Sequence, residues 1–137
     1  MAIRGKSKQT EHDLVVEASA DTFRKTGGSA STNPRNEKNA EVAGLYPDVV
    51  ANKENGMIVV EEIETEDSVT QDECENQWKP YSELGYQFNL IVPKDSLNLA
   101  QKFIRKAQLK VILQGYTIRG NNVTFYYSGA IISYNDD

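Results

Sequence analysis

Residues 46–65, YPDVVANKENGMIVVEEIET, hold two short extended runs on either side of an Asn-Gly turn. The runs 46–51 and 57–65 are rich in β-branched residues, and Asn52-Lys53-Glu54-Asn55-Gly56 between them is turn chemistry, so a β-hairpin is predicted. Alternate side chains of a strand share a face. One face of the second strand then takes Ile58, Val60, Glu62 and Glu64; the other takes Met57, Val59, Glu61, Ile63 and Thr65. Two carboxylates side by side at the end of an apolar strand repel, and half-burial favours protonating one unless a cation compensates. Asp48 lies on the first run, where a hairpin can bring it near Glu62. Three converging carboxylates offer the hard oxygen donors that Mg²⁺ or Mn²⁺ takes, with positions left for water and a phosphate. A second reading stays open: EEIETED is a strand leaving the core, its acids solvated and guarding a sheet edge.

Upstream, a helix is expected from Thr10 as N-cap, with Glu11 and Asp13 at its positive end and Gly27-Gly28 closing it. Its apolar positions are Leu14, Val15, Ala18 and Phe23. Residues 28–44 are polar, rich in Gly, Ser and Asn, and without periodicity, which reads as a flexible loop; long loops of this kind often carry function. Downstream, a helix from Ser68 or Gln71 to Leu84 is closed by Gly85, with Pro80 kinking or splitting it. Then follow a strand over 86–92, a helix over 95–108, a strand over 110–118, and a last strand over 123–134 that Gly129 can interrupt. The order α-β-β-α-β-α-β-β predicts an α/β fold, a mixed sheet flanked by helices in one domain spanning 1–137.

Composition fits a globular domain: 137 residues, 39% hydrophobic and 26% charged. No apolar run approaches a membrane span, so no membrane partner is expected, and the N-terminus lacks the apolar stretch of a secretory signal. The single Cys74 excludes an internal disulfide and fits a reducing cytoplasm, the expected location. Net charge is −5, which weakens a nucleic-acid reading, although basic residues cluster at Arg24-Lys25, Arg35 and Lys38, and 102–110, apart from the acids of 61–75.

The arrangement of helix, Asp, hairpin, E-x-(K/E), helix and strand resembles the PD-(D/E)XK, or restriction-endonuclease-like, nuclease superfamily. Its pattern is closest to the archaeal Holliday-junction resolvases, which share a helix opening on a glutamate, a Ser/Gly-rich loop, an Asp at the start of the hairpin and an E-V-K strand. The matching positions here are Glu11, Gly28-Ser29-Ala30-Ser31, Pro47-Asp48 and Glu62-Ile63-Glu64. Gln77-Trp78-Lys79-Pro80-Tyr81 also matches the Q-x-x-x-Y helix of RecB-type nucleases. The resemblance spans residues 10–105 and implies an αβββαβ-type core.

What the resemblance implies is a Mg²⁺- or Mn²⁺-dependent nuclease hydrolysing DNA phosphodiesters, on branched or single-stranded DNA among other forms. Asp48 and Glu62 would ligate the metal, Glu11 a metal-bound water or second ion, and Glu64 would stand in the place of the family's lysine. A carboxylate there can act as a base or bind a cation, but cannot donate as an ammonium does. The alternative is a catalytically inactive PD-(D/E)XK-fold module that binds nucleic acid or protein.

Gln77 and Tyr81, four apart on a helix, could reach the carboxylates or a phosphate, and Tyr81 could equally be packing. Ser29, Ser31, Arg35 and Lys38 are candidate nucleic-acid contacts, with a solvated loop as the other account. Thr65 and Ser68 are substrate contacts or a strand end and a helix cap. Trp78 reads as core, His12 as solvent-exposed, and Tyr116 within the aromatic segment 115–134 as sheet packing or a dimer surface. A homodimer would suit paired cuts, though no sequence feature marks one.

Overall fold

The structure, a computed structural model, describes residues 5–34 and 37–131. The expected hairpin is present: β2 (Val49–Asn52) and β3 (Ile58–Ile63) run antiparallel, with Val49 opposite Glu61 and Asn52 opposite Ile58. Gly56 turns the chain at φ 87°, a conformation in which a Cβ would be strained, and its N–H bonds the Lys53 carbonyl at 2.8 Å. The hairpin belongs to a six-stranded mixed sheet with its strands in chain order, β1-β2-β3-β4-β5-β6, of which β1 is Ser29–Thr32. Strands β4 (Gln87–Pro93) and β5 (Val111–Arg119) continue from β3 in parallel, and β6 (Asn122–Ile131) returns antiparallel. The α/β expectation therefore stands.

Helix α1 (Lys6–Lys25) covers one face of the sheet, where Val15, Val16 and Ala20 pack on Val49, Ala51, Val59, Ile63, Ile91 and Tyr116. The other face is covered by α2 (Gln71–Glu73), a π-helical turn (Cys74–Trp78), α3 (Lys79–Ser82) and α4 (Leu97–Ala107). There Trp78, Tyr81, Ala100 and Ile104 pack on Val60, Phe88, Leu90, Val92 and Leu113. The alternation expected of β3 is realised: Val60 faces one core, Val59 and Ile63 the other.

Three expectations need correction. The segment 28–44 is not wholly loop, because Ser29–Thr32 form β1, an antiparallel partner of β2. Gly28 makes this approach possible, since a Cβ there would overlap the carbonyl oxygen of Asn52. Residues 39, 40 and 47 are tied to Asn33, whose side chain donates to the carbonyls of Ala40 and Pro47 (2.8 and 2.6 Å) and accepts from the N–H groups of Asn39 and Ala40 (2.8 and 2.7 Å). Helix α1 begins a turn earlier than Thr10: Gly5 is its N-cap, and the Thr10 hydroxyl donates back to the Lys6 carbonyl at 3.0 Å. Of the two outcomes expected at Pro80, a kink or a split, the split does not occur: the helical run over 71–82 is continuous but distorted. The clash of a proline ring with the preceding turn is absorbed by the wider π-turn, in which the Lys79 N–H bonds the Cys74 carbonyl. The interruption expected at Gly129 is present: β6 is bulged, its register shifting opposite Leu113 and Gln114, with Gly129 at φ 122°. The expected strand end at 132–134 lies outside the described residues, as does Arg35.

Candidate active site

The parallel strands β3, β4 and β5 end on the same side of the sheet, and β2, antiparallel to β3, begins there. Asp48 immediately precedes β2 and Glu62 lies near the end of β3, so the hairpin places them together. The Asp48 N–H donates to Glu62 Oε2 at 2.9 Å, and Asp48 Oδ2 accepts the Ile63 N–H at 2.8 Å. Both side chains are buried. Burial first, then the charges of Asp48 and Glu64, push the Glu62 carboxyl well above its ordinary value. The strand pattern sets Glu64 against Glu62, and the hairpin adds Asp48 as a second repelling neighbour.

Asp48 has a further partner that the sequence reading missed. His12 is buried, 2% exposed rather than solvent-facing, with Nε2 3.1 Å from Asp48 Oδ2 and Nδ1 3.2 Å from Asp13 Oδ1. An imidazolium can donate to both carboxylates. The signal was available: His12, Val15, Val16, Ser19 and Ala20 are the buried positions of α1, at the i, i+3, i+4, i+7, i+8 spacing of one helix face.

Glu64 is 1% exposed and held by two donors, Ser68 Oγ at 2.6 Å and Trp78 Nε1 at 2.8 Å. Burial, then the charge of Glu73, raises its carboxyl to about 8. Trp78 is core, as expected, and its indole N–H finds its partner in this acid. Ser68 does not cap the following helix; Thr70 does, accepting the Glu73 N–H at 3.2 Å. On the opposite face of β3, Glu61 is buried between the Ser19 hydroxyl and the Asn89 amide (2.7 Å), its carboxyl raised chiefly by burial.

Glu11 reaches this end of the sheet from α1. Its Oε2 accepts from the Tyr116 hydroxyl at 2.6 Å, and its Oε1 lies 3.6 Å from Lys8 Nζ. The same hydroxyl lies 3.0 Å from the Glu64 carbonyl oxygen. Tyr116 is thus more than sheet packing; a buried tyrosine needs a partner for its hydroxyl, and here the partners are site residues.

Of the remaining candidates, Tyr81 is buried against Phe88 with ring centroids 5.8 Å apart. Burial and the charges of Glu62, Asp48 and Glu64 push its phenol far above the usual range, so it faces the acid group as a neutral hydroxyl. Gln77 is half-buried on the π-turn, and its side chain makes no hydrogen bond among the described residues. Ser29 and Ser31 are exposed on β1, opposite Asn52 and Val50. Lys38 is exposed, its ammonium 5.2 Å from the Tyr46 ring centre.

Among the described residues no group of three His, Cys, Asp or Glu side chains is arranged to hold a metal ion. The donor chemistry of the Asp48–Glu62 pair still suits a hard cation. Mg²⁺ is commonly held by one or two carboxylates and keeps several waters. No lysine or arginine pairs with either acid among the described residues; the salt-bridge partner of Asp48 is His12.

Among the described residues, no helix is long and apolar enough to cross a membrane. No family model and no curated protein matches the sequence. Among solved structures the chain is similar to the SPO1766 protein of unknown function from Silicibacter pomeroyi, at 13% identity and a TM-score of 0.51, over 95% of this chain and 75% of that one. At that identity the likeness speaks to the fold alone: a mixed α/β sheet of this architecture is shared by another protein.

Proposed function

We propose that this chain is a divalent-cation-dependent nuclease of the PD-(D/E)XK, restriction-endonuclease-like type, hydrolysing phosphodiester bonds in DNA. The observation that carries the reading is the buried Asp48–Glu62 pair, joined by the Asp48 N–H, with the Glu62 carboxyl pushed up first by burial and then by the charges of Asp48 and Glu64. The succession of α1, β1, β2, β3, the 71–82 helical run and β4 supports it, being αβββαβ in order with the acids at the hairpin positions the resemblance requires. In this reading Asp48 and Glu62 hold Mg²⁺ or Mn²⁺, Glu11 stands beside them, and Tyr81 presents a neutral hydroxyl to the same space. A bound divalent cation supplies charge compensation at the scissile phosphate and a lowered pKa for an attacking water. His12 holds Asp48 in place through Nε2. Cutting both strands of a duplex would take two copies of the chain.

A second reading, a catalytically inactive module of the same fold that binds nucleic acid or protein, is favoured by one observation. Glu64, in the lysine's place, is closed in by Trp78 and Ser68, so it offers neither an ammonium nor an open carboxylate. Cleavage assays on single-stranded, duplex and branched DNA with Mg²⁺ and Mn²⁺ separate the two. The nuclease reading expects cleavage that vanishes in Asp48→Ala and in Glu62→Ala. Metal-dependent cleavage surviving in both variants, or none in the wild-type protein, would remove it.

A further inference from the structure

We propose that Tyr116 is a positioning residue for this site, its hydroxyl fastening Glu11 of α1 to the end of β3. The inference rests on the reading of Asp48 and Glu62 as cation ligands.

Three elements meet at one phenol oxygen. Tyr116 comes from β5 and is 3% exposed; its oxygen lies 2.6 Å from Glu11 Oε2 and 3.0 Å from the Glu64 carbonyl, just past β3. A hydroxyl needing only to be satisfied in the core could use that carbonyl alone. Here it also takes a carboxylate from a helix. Glu11 is otherwise a partly exposed side chain near the start of α1, its other oxygen 3.6 Å from Lys8 Nζ. Without the phenol it has the freedom of an ordinary surface acid, drawn outward with Lys8.

The surroundings suit a ligand. A cleft of about 310 Å³ opens here, lined by Glu11, Tyr116, Lys94 and Thr117 among others. It lies past Pro93, the carboxyl end of the parallel strand β4, and beside Tyr116, Thr117 and Ile118 of β5, on the side of the sheet where open α/β sheets place their ligands. Gly115 keeps the cleft's other wall close, because a Cβ there would come within 2.9 Å of Leu97 Cδ1 and 3.2 Å of Lys94 Cα. Tyr116 thus joins the cleft to the acid pair, and Glu11 is held on their common border.

Partners that orient a ligand commonly change metal affinity by about 10- to 100-fold. The test is Mn²⁺ binding, followed by calorimetry and by the electron spin resonance of the free ion, in five proteins: wild type, Tyr116→Phe, Glu11→Ala, the double variant and Asp48→Ala. Tyr116→Phe is expected to weaken Mn²⁺ binding about tenfold, and the double variant is expected to bind no more weakly than Glu11→Ala alone. Unchanged affinity in Tyr116→Phe, or losses that multiply in the double variant, overturns the proposal. If Tyr116→Phe binds normally while Asp48→Ala does not bind, the positioning role falls and the cation site stands. If the wild type binds no Mn²⁺, both fall. Lys8→Ala provides an arm that does not depend on how the Tyr116 variant folds. With Tyr116 holding Glu11, its Mn²⁺ affinity stays unchanged; a tenfold loss there would give the positioning to Lys8 and overturn the inference.

Discussion

The indole N–H of Trp78 donates to Glu64 Oε2 at 2.8 Å, across fourteen residues of chain. A core tryptophan and a buried acid therefore answer each other: the acid satisfies the one polar atom of the ring, and the ring holds the acid under the sheet. Trp78→Phe removes the donor while keeping an aromatic ring. It is expected to destabilise the fold by about 2–4 kcal/mol, from lost packing and a buried oxygen short of a partner. Urea unfolding measures this. A cost smaller in a Glu64→Gln background would show the two residues coupled.

Stability should fall as pH rises past the ordinary range of a glutamate. Glu64 keeps its proton in the folded state up to about 8, against 4.5 for the free side chain. The stabilisation from this raised group is complete below pH 4.5 and is lost as pH climbs through 8. Glu61 and Glu62 shift the same way. Glu64→Gln fixes the neutral form, so its stability relative to wild type should grow between those limits, by a few kcal/mol at most. Unfolding curves at pH 5 and pH 8.5 test the sign; a variant that loses ground at the higher pH contradicts it.

Glu62→Gln should move stability in two directions. In cation-free buffer above neutral pH it relieves repulsion with Asp48 and should stabilise by about 1 kcal/mol. It should also abolish the stabilisation that Mn²⁺ gives the wild type, about 2.7 kcal/mol at a hundred times the dissociation constant. Thermal unfolding with and without Mn²⁺ measures both. A variant less stable than wild type without the cation would mean that the pair does not repel.

Cys74 should be silent in the native state. It is 1% exposed, its sulfur 3.7 Å from the Phe103 carbonyl, and burial raises its thiol to about 11. Modification by a thiol reagent at pH 8 should then follow global unfolding, becoming rapid only in denaturant. Prompt stoichiometric labelling of the folded protein would contradict the burial of this side chain.

The hairpin and its acid pair were legible because each signal is local. An Asn-Gly turn, a run of β-branched residues and a period of two fix which side chains share a face, and fourteen residues separate Asp48 from Glu62. Strand β1 was hidden because Ser-Ala-Ser-Thr, at a sheet edge, has neither apolar alternation nor a fully buried position. His12 was misplaced because the stripe was drawn through the apolar Leu14, Val15, Ala18 and Phe23 alone, whereas the buried face of α1 also accepts the polar Ser19 and His12. Tyr116 was beyond reach for another reason. Its partner Glu11 is 105 residues away, and no pattern within a strand announces a contact of that span.

Those two spans have a consequence for the order in which the site can assemble. Asp48 and Glu62 are brought together when a short hairpin closes, an event of low entropic cost that needs few other contacts. Tyr116 meets Glu11 only when β5 has docked and nearly the whole chain has been gathered in, a non-local closure of the kind that slows folding. The acids are therefore expected to be neighbours before the tyrosine arrives. A chain caught partway would carry the repulsion of the finished site without the residue that completes its border.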